Sequence, residues 1–205
     1  ISPKIKSCYR LPMSGKIKVI IYGASGMIGQ GTLRECLNDP QIESVLSIGR
    51  SSLNITNLKL KELKHQDLTK YEGLDSQLSG YDACFFCLGT TSAGKNETEY
   101  TNVTYNFTIA AAEVLSRQNP KMTFIYVSAV GADSSEKSRT MWARIRGKVE
   151  NTLLKMPFKS VYIFRPGVVQ PLDGIQSATK AYRILYSLLK PILPILHMSL
   201  PNHIS

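Results

Sequence analysis

Long apolar runs are missing from this sequence. Its aliphatic stretches are short and broken by glycine and charge. None approaches the run of about 18 apolar residues that a membrane-spanning helix needs. A disulfide framework is missing too. The four cysteines, Cys8, Cys36, Cys84 and Cys87, show no paired spacing, which suits reduced thiols and a cytoplasmic protein. "CFFC" at 84–87 has a redox or zinc-knuckle spacing, but it lies in "DACFFCLG", which reads as a buried strand. In a strand, positions i and i+3 point to opposite faces, and a second ligand pair is absent, so no metal site is expected. There is no zinc-finger spacing, no RNP-like motif and no long basic run, so nucleic acid is not an expected partner. The opening "ISPKIKSCYR" is polar and basic and lacks a signal-peptide pattern. Residue 1 is not Met; residues 1–15 read as an N-terminal extension in which Met13 is a candidate start.

Acidic residues are scarce in the C-terminal part. Residues 137–205 hold 11 Lys/Arg against 2 Asp/Glu, whereas residues 1–136 hold 14 against 13. A basic half suits an anionic ligand or an anionic membrane surface, and a solvated basic face is the plainer explanation. Peripheral membrane contact rests only on this charge and on "ILYSLLKPILPILHM".

What is present is an alternation of strand and helix patterns. "KIKVIIYGASGMIGQGTLRECLND" reads as a strand over 17–22, a glycine turn, and an amphipathic helix from about Met27 to Leu37. Further strands are read at "ESVLSIGR", "LKELKHQDL" (ending near Asp67), "YDACFFCLGTT", "KMTFIYVSAVGAD" and "SVYIFRPG". Helices are read at "ETEYTNVTYNFTIAAAEVLSRQ", "RTMWARIRGKVENTLLKM" and "SATKAYRILYSLLK". Such alternation predicts right-handed βαβ units, and the near-continuous apolar strands predict a parallel sheet covered on both faces. With 205 residues and no repeat or linker, this is one α/β domain, a Rossmann-like doubly wound sheet in the order 3-2-1-4-5-6. It spans residues 16–205, with a small substrate or lid region from about 166.

"YGASGMIG" spaces Gly23, Gly26 and Gly29 as G-x-x-G-x-x-G between a strand and a helix. In that context the pattern predicts a dinucleotide turn. Gly23 permits the tight turn, Gly26 lets the backbone approach a pyrophosphate, and Gly29 lets the helix pack on the strand. The backbone of Ser25, Met27 and Ile28 completes the cradle at the helix N-terminus. The second strand ends in "SIGRSS", where an NAD-selective site usually has an acidic residue. Arg50, flanked by Ser51 and Ser52, suits a 2′-phosphate instead, so NADP(H) is preferred and NAD(H) possible. Asp67 follows the third strand, where it can accept from an adenine amino group or cap a helix before Leu68.

With these residues the chain resembles the atypical NAD(P)-binding short-chain dehydrogenase/reductase superfamily, in the branch of HIV Tat-interacting-protein-like proteins and nucleoside-diphosphate-sugar epimerase relatives. The resemblance runs from about Lys16 to Leu189. It rests on "GASGMIG", "GR" at 49–50, "DL" at 67–68, "CLGTT" at 87–91, "VSAVGAD" at 127–133, "RGKVE" at 146–150 and "FRPGVV" at 164–169. It implies that Leu88, Gly89 and Thr90 line the adenosine–ribose side. Ser128 and Ala129 would lie near the nicotinamide, and Pro166, Gly167 and Val168 would cover its carboxamide side.

The same resemblance exposes a departure. Catalytic members carry a Ser or Thr after the fifth strand, which orients a carbonyl. A Tyr moves the proton, and a Lys one turn further on binds the ribose. Ser128 matches the first role. Trp142 stands in the Tyr slot and Arg146 in the Lys slot. Arg146 can still bond a ribose, but an indole N–H is no general acid near neutral pH. Tyr100 and Tyr105, on the helix after the fourth strand, could reach the site from across the cleft. Tyr186-x-x-x-Lys190 is a chance match on the last amphipathic helix, with Tyr182, Leu185, Leu188 and Leu189. Neither His65 nor His197 and His203 sits in a catalytic motif. Two readings stay open: an NADP(H)-dependent oxidoreductase or epimerase of an unknown small molecule, lacking the usual Tyr acid, or a catalytically weak NADP(H)-binding sensor or regulatory partner.

Overall fold

The computed structural model describes residues 15–167 and residue 169. Val168, the last predicted helix, its Tyr186 and Lys190, His197 and His203 lie outside the described residues, as does nearly all of the N-terminal extension. Six strands form one sheet: β1 (Ile17–Tyr22), β2 (Ile42–Gly49), β3 (Leu60–Lys64), β4 (Ala83–Phe86), β5 (Thr123–Val127) and β6 (Ser160–Phe164). Their order is β3-β2-β1-β4-β5-β6, and every neighbouring pair is parallel. This is the doubly wound α/β fold that the alternation predicts. No helix among the described residues is long and apolar enough to cross a membrane.

Strand periodicity builds a core on each face of the sheet. From β1, Ile20 and Tyr22 enter one core and Val19 and Ile21 the other. All four are fully buried, which is why this central strand reads as an unbroken apolar run. Helix α1 (Met27–Asn38) contributes Leu33 and Cys36 to the second core. The first core is closed by α4 (Phe107–Gln118) and α5 (Met141–Leu153), through Leu115, Val149 and Leu153 among others. Tyr22, Phe86 and Phe124 form a ladder of rings across it, with centroids 5.0 and 6.0 Å apart. Each buried ring contributes on the order of 1.5–3 kcal/mol from burial.

Three elements differ from the sequence expectation. β3 stops at Lys64, because the chain turns away once the His65 amide has bonded the Gly49 carbonyl (2.9 Å). A one-turn helix, α2 (Asp75–Leu78), was not predicted. The long helix after β4 is α3 (Glu97–Thr101), a π-helical segment (Asn102–Asn106) and then α4. The buried positions Tyr100, Thr104 and Thr108 follow one another four apart. Each such step overshoots an α-helical turn by about 40°, and the wider π turn absorbs that drift.

α5 lies unusually close to the loop after β5. A Cβ at Gly147 would stand 1.7 Å from the Asp133 carbonyl oxygen. The loop is itself braced. The Asp133 amide bonds the Ala143 carbonyl (2.9 Å), and its carboxylate accepts from the Ser135 amide and hydroxyl and from the amides of Lys137 and Ser138. These donors, Ser135 first, pull the exposed Asp133 carboxyl down to about 2. Gly147→Ala must therefore push helix and loop apart. We expect a loss of about 1–3 kcal/mol, or roughly 2–12 °C in Tm. An unchanged Tm in calorimetry would show that this contact yields freely.

Candidate functional site

The first part of the site is the β1–α1 turn. Gly23 has φ +74°, and a Cβ there would stand 2.6 Å from the Leu88 amide nitrogen, so both its conformation and its neighbour demand glycine. The Gly26 amide closes the turn on the Gly23 carbonyl (2.9 Å). A Cβ at Gly29 would stand 2.0 Å from that same carbonyl oxygen, which is how tightly α1 seats on the turn. Gly26 caps α1 without a side-chain bond, and the first turn holds no acidic residue. The helix-internal bonding starts with the Gln30 amide on the Gly26 carbonyl (2.8 Å). The amides of Met27 and Ile28 thus face outward with the positive end of the helix dipole, suited to an anion. The Gln30 side chain ties down the Ser25 carbonyl (2.8 Å). A Cβ at Gly26 would meet only the Gly23 oxygen, at 3.3 Å, so this glycine keeps open the space before the turn. These features fit a dinucleotide pyrophosphate.

The turn continues into the ends of neighbouring strands. The Cys87 amide bonds the Tyr22 carbonyl (3.0 Å) and holds the β4 exit, with Leu88 and exposed Gly89, beside Gly23. Among the described residues, Thr90 makes only a long contact to the Thr91 carbonyl (3.5 Å). Beyond β2, Arg50 is exposed, and its guanidinium takes no partner among the described residues. Gln66 bonds the Arg50 carbonyl (2.8 Å). Ser52 is placed differently from the expectation: its hydroxyl donates to Glu62 (3.0 Å), which also takes the Leu53 amide (2.8 Å). Of the "RSS" group, that leaves Arg50 and Ser51 as candidates for a ligand. Asp67 caps a turn, not a helix. Its carboxylate accepts from the Thr69 amide (3.1 Å) and hydroxyl (2.6 Å), and these bonds hold it below the usual carboxylate range.

The exits of β5 and β6 depart most from the sequence reading. Ser128 is buried, and its hydroxyl donates to Glu150 at 2.5 Å. Glu150 is buried too and is forked by Arg165, through Nε at 3.0 Å and through Nη2. Arg165 also reaches the Ser134 hydroxyl (2.7 Å). A buried carboxylate needs such donors, so the Ser128 hydroxyl is committed to a lock between β5, α5 and the β6 exit. It does not stand free to orient a carbonyl. The helical stripe of Val149, Glu150 and Leu153 was the one sequence clue that Glu150 is internal. Trp142 lies over the β5–α5 loop, its indole edge 3.0 Å from where a Gly131 Cβ would stand; Gly131 has φ +88°. The Pro166 carbonyl accepts from the Val130 amide (3.1 Å), and a Cβ on Gly167 would touch the Val130 side chain at 3.9 Å.

Arg146 reaches inward. Its Nε donates to the Tyr100 hydroxyl (3.1 Å) and its Nη1 to the Val127 carbonyl (3.4 Å). A Cβ built on Gly89 would stand 3.6 Å from Nη2. Tyr126 lies near; burial pushes its phenol up to about 12 despite the Arg146 charge, so it stays neutral. Tyr105 does not join the cluster: its hydroxyl meets Thr152 (3.4 Å) and its ring carries Lys148 (4.6 Å). None of the described cysteines bonds to this cluster. Cys84 lies in the α4/α5 core, and Cys87 meets the Thr32 hydroxyl on the α1 side (3.7 Å). Burial raises both thiols, Cys87 to about 11. The structure thus brings Gly23, Gly26, Gly29, Leu88, Gly89 and Arg146 together at the carboxyl ends of β1, β4 and β5.

Comparison with known proteins gives this arrangement its context. A rat protein, "Protein HTATIP2", is 30% identical over 154 residues, covering 74% of this chain and 62% of its own length. The chain thus spans less than two thirds of that relative. "Protein FMP52, mitochondrial" of Candida albicans is 27% identical over 157 residues, covering 75% of this chain and 67% of its own. Among solved structures, a short chain dehydrogenase from Burkholderia cenocepacia in complex with NADP superposes with TM-score 0.64 at 14% identity, covering 90% of this chain and 97% of that one. UDP-glucuronic acid 4-epimerase from Bacillus cereus in complex with NAD gives 0.63 at 17% identity, covering 85% and 64%. At those identities the two structures speak for the fold alone. The sequence match of residues 19–143, more than half of the chain, decides the family: this protein belongs to the NAD dependent epimerase/dehydratase family.

Proposed function

We propose that the chain binds NADP(H) and is an oxidoreductase or epimerase of a small molecule that works without the usual Tyr acid. The supporting observation is the uncapped N-terminus of α1, joined through Gly23 and Leu88 to Gly89 and Arg146 in one crevice. The amides of Met27 and Ile28 take the pyrophosphate, Arg50 and Ser51 the 2′-phosphate, and Leu88, Gly89 and Thr90 the adenosine–ribose side. Asp67 presents its turn to the adenine. Ala129, Pro166 and Gly167 border the nicotinamide, which would supply the hydride when bound. The unpaired thiols favour a reducing compartment such as the cytoplasm, although the Candida relative is named as mitochondrial.

A second reading, a cofactor-holding sensor with weak turnover, is favoured by one observation: the Ser128 hydroxyl is spent on Glu150. By the family resemblance, Trp142 would also stand in the acid slot. Without a positioned acid, turnover forfeits about 10²–10⁴-fold. The two readings separate in one experiment: calorimetric titration with NADPH and NADH, then a panel of aldehydes and ketones followed by NADPH absorbance. Binding with turnover supports the enzyme, binding without turnover supports the sensor, and no binding refutes both.

Two substitutions sharpen the cofactor assignment. NADPH should bind about 10- to 150-fold more tightly than NADH, the range of a charge-assisted hydrogen bond, and Arg50→Ala should remove most of that gap. Equal affinities in the parent would make Arg50 an ordinary surface charge. Gly26→Val should abolish binding of both cofactors while the circular dichroism spectrum stays that of the parent, because a branched side chain fills the phosphate's space. Unchanged affinity would leave the glycine turn a purely structural feature.

A further inference from the structure

We propose that Tyr100 is a positioning residue for the cofactor's nicotinamide-side ribose, acting through Arg146; this rests on the nicotinamide-dinucleotide reading above. A guanidinium carries five N–H donors in a rigid fork. Here Nε is pinned by the Tyr100 hydroxyl (3.1 Å) and Nη1 leans on the Val127 carbonyl (3.4 Å). The donors on Nη2 lie over Gly89, and they take no acceptor among the described residues. Gly89 lacks the side chain that would keep the fork away from the end of β4. The unspent donors therefore face the crevice between the exits of β4 and β5, one step beyond the pyrophosphate turn. The chemistry they suit is a pair of neighbouring hydroxyl oxygens.

Tyr100 is itself held from several sides. It is 1% exposed, on a five-residue helix. That helix has a full capping box between Asn96 and Glu99. It is also tied to α5 by a two-point pair between Arg144 Nη2 and Glu97 (2.9 and 2.8 Å). The π turn follows directly and keeps the Tyr100 stripe facing α5. Tyr100 thus freezes the fork before the ligand arrives.

The test uses the full chain and two ligands, NADP⁺ and its adenosine half, 2′,5′-ADP, titrated calorimetrically. Tyr100→Phe should weaken NADP⁺ by about 2- to 12-fold, the cost of ordering one long side chain, and leave 2′,5′-ADP unchanged. Arg146→Ala should show the same selectivity. The double variant should bind NADP⁺ no worse than Arg146→Ala alone, since the two act as one unit. An unchanged NADP⁺ affinity, an equal loss for both ligands, or additive losses in the double variant would overturn the proposal. Should Tyr100→Phe not fold, Arg146→Ala still decides, by selective loss or none. A parent that binds neither ligand would instead refute the cofactor reading on which the proposal rests.

Discussion

Helix α1 starts where it does because residue 29 has no side chain. A Cβ there would lie 2.0 Å from the Gly23 carbonyl, so anything larger drives the helix off the turn. The remaining site geometry follows from that seat. With α1 pressed onto Gly23, its outward amides open at the carboxyl end of β1. Gly23 in turn is pressed onto Leu88, which fixes where β4 exits. The order β3-β2-β1-β4-β5-β6 reverses direction at this junction, with α1 on one face and α4 and α5 on the other. A crevice at the switch point is the consequence.

A second close approach sets the other end. Gly147 lets α5 touch the loop after β5, and the lock of Ser128, Glu150 and Arg165 ties α5 to the ends of β5 and β6. α5 is thereby held at a defined height, and Arg146 reaches Tyr100 and Val127 from there. The polar groups that a carbonyl-handling site would leave available are partly consumed in holding this frame. Rigidity at this end of the sheet is gained with the Ser128 hydroxyl and the Glu150 carboxylate.

The fold was legible because its signals are periodic and local. Apolar runs mark strands buried on both faces, and the glycine spacing marks the one turn that must be tight. The seat of Gly29 on the Gly23 carbonyl was legible for the same reason, since it depends on backbone six residues away, whereas the press of Gly23 on Leu88 was not. Contacts between distant segments were not. Nothing around residue 100 says that its phenol meets a guanidinium at residue 146, or that the Ser128 hydroxyl is claimed by a carboxylate 22 residues on. Ser52 was misread likewise, because Glu62 arrives from the neighbouring strand. The π turn was hidden because its residues, "NVTYN", have no composition that separates them from an ordinary helix.

The central claim is that a dinucleotide lies across the α1 N-terminus and runs toward Arg146. Amide-resolved NMR during NADP⁺ titration tests it most directly. The account predicts saturable shifts concentrated at Gly23, Gly26, Met27 and Ile28 and continuing through Gly89, with the amides of β3 left unmoved. Shifts that spare the Gly23–Ile28 turn, or that gather on the sheet's far edge, would contradict it.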